Sequence, residues 1–522
     1  MSINDIITTY LPANTESHLR GNVIIVPVTT ETLLARATAL YREHKLPLKL
    51  ITVQDDRAAS GTFAILYVFG IPGETNFLAL QLSTTDAFPS LTPTIHEASL
   101  YERKIRSLMG LTPTGHPNPQ SIIVHENWPA DVFPLRKDFA WNTRPETGGT
   151  TFEFMKVGGE EGIYELPVGP VHAGIIEPGH FRFNLAGEEI LLLEPRLGYS
   201  HKGVEKLFEH LPLDKKVALS ERIAGDTSFT YSLAFCQALE SLAAISVPAR
   251  ALYLRTIYSE LERLANHFSD IGAIMTDTGF NFGAAQGARL RERIMRLCDA
   301  LTDSRFLRGV NHLGGVTRDL NAETSAHLKA EIEALQIDFN EVMAITEDSS
   351  TLKNRLEDTG VLDAQIARDH GVTGVAARAC GIASDSRVEH PYAAYGDLTV
   401  AVASAPTCDV MARLLVRVQE TRTSMDLILE ALAKLPSGPV STKVTTPIFA
   451  KSSTAVSITE GWRGDIVCFV ATDAHGTITR VDMRDPSFLN WPLVGEAGKG
   501  NMVPDFPLIN KSFSLSYTGG DM

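Results

Sequence analysis

Cysteine is scarce in this chain: five among 522 residues, at Cys236, Cys298, Cys380, Cys408 and Cys468, with no C-x-x-C and no close pair. That argues against a disulfide framework and against a sequence-local metal knot. The expected state is five buried or half-buried thiols in a reducing compartment. Long apolar runs are also missing. None reaches the ~18 residues of a membrane helix, and the longest candidates carry charges, as in LKLITVQDDR. The opening stretch MSINDIITTYLPANTESHLRG has no basic segment followed by an apolar core, so no signal peptide is expected. Positive charge is short as well: 47 Lys and Arg face 62 Asp and Glu, a formal charge of −15. Gripping a phosphate backbone needs the opposite excess, so no nucleic-acid partner is expected. No G-x-G-x-x-G follows a strand, and G-K-S/T, H-E-x-x-H and G-x-S-x-G do not occur. Nucleotide binding and the familiar protease and hydrolase sites are therefore not expected.

What is present is a globular composition, 44% hydrophobic and 21% charged, in a chain too long for one ordinary core. Residues 1–140 read as mixed α/β. TETLLARATALYREH has helical spacing, and LPLKLITVQDDR, GTFAILYVFGI and NFLALQLST read as strands. Residues 141–163, with TRPETGGTT and VGGEEG, are polar and Gly-rich and form the expected linker. From 164 to about 193 short β-like runs return. Long helical patterns then dominate. In the clearest, Leu254, Ile257, Leu261, Leu264 and Phe268 form an apolar stripe. Further helical patterns run through 285–303, 322–345 and 405–435, while Gly-rich GAAQGAR sits in a helical context. The tail from Pro436 reads as short strands and loops. The fold class is α+β and multidomain: an N-terminal α/β module, then a mainly helical module with β-hairpins, 164–522.

Residues 101–139, YERKIRSLMGLTPTGHPNPQSIIVHENWPADVFPLRKDF, resemble the signature of the 30-kDa subunit of respiratory complex I, with Ser107 where that family usually has an acid. The resemblance implies a scaffold module without a cofactor. From Leu166 onward the motifs are GPVHAGIIEPGHFRF, GYSHKGVEKL, SERIAGDTSFTYS, ELERLANH, RLRER, NHLGGV, RACGIASDSRVEHPYAAYG, DVMARLLVRVQE and DFPLINKSF. They resemble both the 49-kDa quinone-site subunit of complex I and the large subunit of membrane-bound, energy-converting (group 4) hydrogenases, the latter spelling being closer.

In those hydrogenases four thiolates hold nickel and iron, because soft sulfur suits these metals. Matched residue by residue, the first pair of positions carries Ala224 and Thr227 and the second Ser516 and Gly519. All four ligands are lost, so no metal is expected in this chain. Tyr231 stands where a histidine is usual. The complex I quinone tyrosine position carries Arg222; the aspartate that orients the quinone histidine survives as Asp277; and the histidine-bearing hairpin offers His172 and His180. Glu177 resembles the hydrogenase proton-relay glutamate. Arg378 and Asp385 are expected to flank the lost metal position as cofactor-binding residues. Glu260, Arg263 and His267 fall on one helix face, a structural pattern.

The resemblance thus implies an oxidoreductase subunit of the NADH-quinone oxidoreductase or hydrogenase type, active only within a complex. It implies no cofactor on this chain, a quinone as candidate occupant, and a four-iron–four-sulfur (4Fe–4S) cluster in a small partner subunit. It also implies antiporter-like membrane subunits and a cytoplasmic position, peripheral on the cytoplasmic face of the inner membrane. Electron transfer coupled to ion translocation is one expectation. A non-catalytic scaffold joining a redox module to the membrane subunits is the other. The hypothesis carried forward is that Glu177, Arg222, Asp277 and at least one of His172 and His180 converge on one pocket facing the small subunit.

Overall fold

After a short helix at Ile3–Tyr10, apolar runs of the N-terminal module pair, in the computed structural model, which describes residues 3–149, 151–158 and 162–522, into a five-stranded sheet. Its strands are β1 (His18–Arg20), β2 (Val23–Val28), β3 (Leu48–Asp55), β4 (Phe63–Gly70) and β5 (Phe77–Thr84), in the order β1-β2-β5-β4-β3. Only β2 and β5 run parallel; the other pairs are antiparallel. All eight residues of β4 are buried, as continuous apolar strands covered on both faces should be. Helix α1 (Ser99–Met109), from the 30-kDa-like signature, lies beside β3, with the Tyr101 hydroxyl donating to the Lys49 carbonyl at 3.1 Å.

A second antiparallel sheet follows: β6 (Ile163–Val168), β7 (His180–Ala186) and β8 (Glu189–Arg196). The helical part comprises α2 (Ser228–Leu242), α3 (Ala249–Asp277), α4 (Asn281–Thr302), α5 (Ala322–Glu347) and α6 (Val410–Lys434). The stripe of α3 is fully buried, and so is its polar face, because Glu260, Arg263 and His267 find charged partners on other elements. The Gly-rich GAAQGAR segment is a helix crossing: a Cβ on Gly287 would stand 2.7 Å from the Gly272 Cα. Among the described residues no helix is long and apolar enough to cross a membrane.

The tail departs from expectation. After the sheet β9 (Thr454–Glu460), β10 (Asp465–Thr472) and β11 (Ile478–Arg484) it forms three helices: α7 (Pro486–Gly498), α8 (Phe506–Phe513) and α9 (Tyr517–Asp521). Pro486 and Pro492 read as breaks, but Pro486 sits at the first helical position, where its missing N–H costs nothing. The side chain of Asp485 caps that helix on the Ser487 amide at 2.7 Å.

The helices of the second module have a core of their own, while its sheet β9–β11 and the start of α7 pack onto the N-terminal core. Val456, Ile458, Val467, Phe469, Ala471, Phe488 and Leu489 pack into the same apolar cluster as the N-terminal sheet. Buried polar bonds run alongside: Asn22 exchanges two hydrogen bonds with the Val456 backbone, and Lys49 pairs with Asp465 at 3.3 Å. Lys104 bridges Asp482 and Glu205 at 3.0 and 2.5 Å. The N-terminal module is thus joined to the second module by buried apolar and polar contacts. The linker 141–163 is also no loose tether, although Thr150 and 159–161 lie outside the described residues. The Gly148 amide donates to the Asn127 carbonyl at 2.8 Å, and that of Met155 to Glu194 at 2.8 Å.

Candidate functional site

Two distant turns meet at the start of α2. The first, Ala224–Thr227, leads into that helix; the second is the Ser516 cap of α9. Thr518 ties them together by donating its hydroxyl to the Ile223 carbonyl at 2.9 Å. The four positions matched to the hydrogenase thiolates are thereby brought to one place, and each is occupied. The Ala224 methyl is part of an apolar cluster with Ile223, Tyr231 and Met522. The Thr227 hydroxyl donates to Asp226 at 2.9 Å and accepts from the Trp462 indole at 3.0 Å. The Ser516 hydroxyl caps Gly519 N at 2.9 Å. A Cβ on Gly519 would lie 2.7 Å from the Asp485 carboxyl, which accepts the Tyr231 phenol.

Charges close the same place. Arg463 clamps Asp226 with both terminal nitrogens, at 2.9 and 2.8 Å, and donates through Nε to the Ser514 carbonyl at 2.6 Å. Its guanidinium stacks on Trp462 at 3.8 Å. Asp521 accepts from the amides of Gly198 and Ser200 at 2.8 and 2.9 Å, joining the GYSHKG motif to the C-terminus. Burial still outweighs those bonds and pushes its carboxyl up to about 6. Nickel and iron would need four thiolates here. The residues present supply a methyl, a hydrogen and two engaged hydroxyls, and all five thiols are buried elsewhere. They do not fit that centre. Among the described residues no group of three His, Cys, Asp or Glu is arranged to hold a metal ion.

The other candidates are only partly assembled. Glu177 is exposed on the 169–179 loop and accepts from the Thr518 amide at 3.1 Å, so it does stand at the meeting of the two turns. Arg222 does not face it. Its guanidinium is exposed and folds back on the Ala218 carbonyl at 2.7 Å. The cation that serves the place expected for Arg222 is Lys202, whose ammonium donates to the Arg222 and Ile223 carbonyls at 2.7 and 2.9 Å. Burial lowers its pKa, and the charge of Glu177 opposes that shift. Lys202 lay in a quoted motif; nothing but the fold marks its role.

His172 and His180 hold the hairpin. His172 Nε2 donates to the Gly179 carbonyl at 2.7 Å, and His180 Nδ1 reaches the Gly169 carbonyl at 3.3 Å. Arg182 donates to His180 Nε2, so that ring is neutral, in keeping with a pKa lowered by burial. Asp277 ends α3 and pairs with Lys511 at 2.6 Å, leaving its second oxygen buried without a partner.

Arg378 and Asp385 lie one layer behind, wholly enclosed. Arg378 binds Glu420 and Glu460 at 2.6 and 2.9 Å; Asp385 binds Arg387 at 2.6 Å. Their link to Thr227 runs through Glu460 and the turn 461–464, which carries Trp462 and Arg463. The expectation that they flank the site as binding residues is corrected: protein groups take their polar atoms, apart from one Arg378 nitrogen that stays unpaired. The same cluster explains the polar face of α3. Glu260 binds Arg263 and Arg387, and His267 donates to Glu420 at 2.8 Å.

Comparison with known proteins places these features. Residues 26–145 match the respiratory-chain NADH dehydrogenase 30 Kd subunit family, and residues 277–455 match the 49 Kd subunit family. The chain is 33% identical to formate hydrogenlyase subunit 5 of Escherichia coli, covering 92% of this chain and 86% of that protein. It is 33% identical to NADH-quinone oxidoreductase subunit 4 of Thermus thermophilus, covering 66% of this chain and 91% of that one. Among solved structures, a chain of the membrane-bound sulfane sulfur reductase, an archaeal respiratory membrane complex, superposes with a TM-score of 0.65 at 27% identity. That match spans 69% of this chain and 98% of the other.

Proposed function

This chain belongs to the family of fused complex I 30-kDa/49-kDa-type subunits that includes formate hydrogenlyase subunit 5, and from that premise we propose that it transfers electrons without nickel–iron hydrogen chemistry. It is a subunit of a respiratory membrane complex related to complex I and the energy-converting hydrogenases. In the proposed role it docks peripherally on the cytoplasmic face of the inner membrane, between a small subunit carrying a 4Fe–4S cluster and antiporter-like membrane subunits. Electrons arriving from that cluster reduce a small acceptor, a quinone for example, and the reaction is coupled to ion translocation.

The observation that carries this reading is the occupied junction of Ala224, Thr227, Ser516 and Gly519, beside which Glu177 remains exposed. Reduction of a quinone to a quinol takes two electrons and two protons, so an acid at the acceptor is required. Glu177 is the acid whose position suits that task. The scaffold reading draws on a different observation: His172, His180 and Asp277 are all committed to protein partners.

The test uses the assembled complex. Elemental analysis is expected to find no stoichiometric nickel, and no hydrogen uptake or evolution; one nickel per chain overturns the proposal. Glu177→Gln is expected to lower turnover at normal assembly. Unchanged turnover in both Glu177→Gln and Asp277→Asn leaves the scaffold as the function.

A further inference from the structure

A cavity of about 380 Å³ lies between the modules and is lined at one end by Trp491, Gly520 and Asp521, next to the Thr227–Ser516 junction. Packed interiors leave few voids larger than a water molecule, whereas small-molecule sites run from roughly 300 to 1,000 Å³. Its walls come from α1, the strand β8 and helix α7, and the linker segment that carries Phe152 and Met155 closes one side. Phe488 and Trp491 make its apolar wall.

The polar atoms on the walls are unequal. The acids are engaged. Asp521 accepts two backbone amides, and Glu194 accepts the Met155 amide at 2.8 Å. Glu97, which burial lifts to about 7, is bonded to Tyr41. The donors are less satisfied. Arg196 is 6% exposed and stacks on Phe152 at 3.9 Å. Its terminal nitrogens donate to the Ser121 and Val124 carbonyls at 3.0 and 3.1 Å, with Glu126 at 3.6 Å, yet its buried Nε has no partner. Arg103, from the 30-kDa-like signature, donates through Nε to the Gln120 carbonyl at 2.9 Å. Burial, then repulsion from Arg196, lowers Arg103 to about 10 against the opposing charge of Glu194, so it is still charged at neutral pH. Two crowded cations, one with a buried unpaired Nε, beside an aromatic slot, call for an acceptor-rich head on an apolar body.

We propose that this cavity binds a small amphipathic carboxylate, its head at Arg103 and Arg196 and its body against Phe488 and Trp491. Binding closes under the Phe152–Met155 strap, which the same wall residues already hold. The proposal does not rest on the electron-transfer reading, so either can fail alone.

The experiment is calorimetric titration of the full chain with octanoate and with octanamide, its neutral counterpart. Octanoate is expected to saturate one site per chain, and octanamide to bind about tenfold more weakly or worse, the loss of one charged hydrogen bond. Arg103→Gln is expected to weaken octanoate by a similar factor and to leave octanamide unchanged. Leu100→Trp, which fills the slot from its half-buried position on the wall, is expected to abolish binding while thermal stability is kept. No octanoate binding, equal binding of the two ligands, or an Arg103→Gln protein that binds like the parent overturns the proposal. So does a partner polypeptide found filling the cavity in the assembled complex.

Discussion

The Thr227–Ser516 junction and the arginine cluster behind it are both polar and both buried, yet they differ in material. The junction is made of hydroxyls, backbone amides and one ion pair, Asp226–Arg463. The cluster sets the guanidiniums of Arg263, Arg378 and Arg387 against the carboxyls of Glu260, Glu420, Glu460 and Asp385, all at 2% exposure or less. Hydroxyl bonds are each worth about 1 kcal/mol net, so the junction can change one residue at a time and stay folded. A buried ion pair that loses one partner strands a charge, so the cluster cannot. The junction thus tolerates substitution where the cluster does not.

Four measurements sharpen or break that contrast. Arg378→Leu strands Glu420 and Glu460 and is expected to cost about 3–5 kcal/mol in urea unfolding, or to prevent accumulation of folded protein. A cost under about 1 kcal/mol would make the cluster no different from the junction. Next comes Asp521, whose carboxyl is raised from 3.8 to about 6 by burial. The folded state then holds a proton that the unfolded chain has released. Stability should therefore fall as pH rises from about 4 to about 6, by on the order of 2–3 kcal/mol. Asp521→Asn should flatten that slope, and an unchanged slope would remove Asp521 as its source. Tyr231→Phe takes the phenol from Asp485 and is expected to cost about 1–2 kcal/mol at neutral pH, read from the same denaturation curves. Smallest is Glu177→Gln, expected within about 0.5 kcal/mol of the parent because the side chain is exposed. A larger loss would mean that its bond to Thr518 holds the loop, and that its effect on turnover is structural.

Much of the fold was legible in the chain, for identifiable reasons. The stripe from Leu254 to Phe268 repeats at helical spacing, and the runs at 48–55, 63–70 and 77–84 are β-branched and aromatic, so local chemistry and final environment agree. Helix α7 was hidden because proline at 486 and 492 reads as an interruption, and only the Asp485 cap and the contact with β8 make it a helix. The packing of β9–β11 onto the N-terminal core was hidden because each of these strands is apolar enough to stand in a separate domain, and nothing local says what covers it.

By itself the sequence determined which side chains stand at Ala224, Thr227, Ser516, Gly519 and Glu177, and that none of the five is a cysteine. These are statements about chemical identity, and identity is local. Tertiary structure alone decided that Lys202 rather than Arg222 faces Glu177, that Arg378 and Asp385 are sealed behind Glu460, and that His172 and His180 spend ring nitrogens on their own hairpin. The direction in which a long side chain points, and the partner it finds, depend on elements tens to hundreds of residues away. Desolvation adds the rest, because a buried polar atom must take whichever partner the packing brings within hydrogen-bond reach.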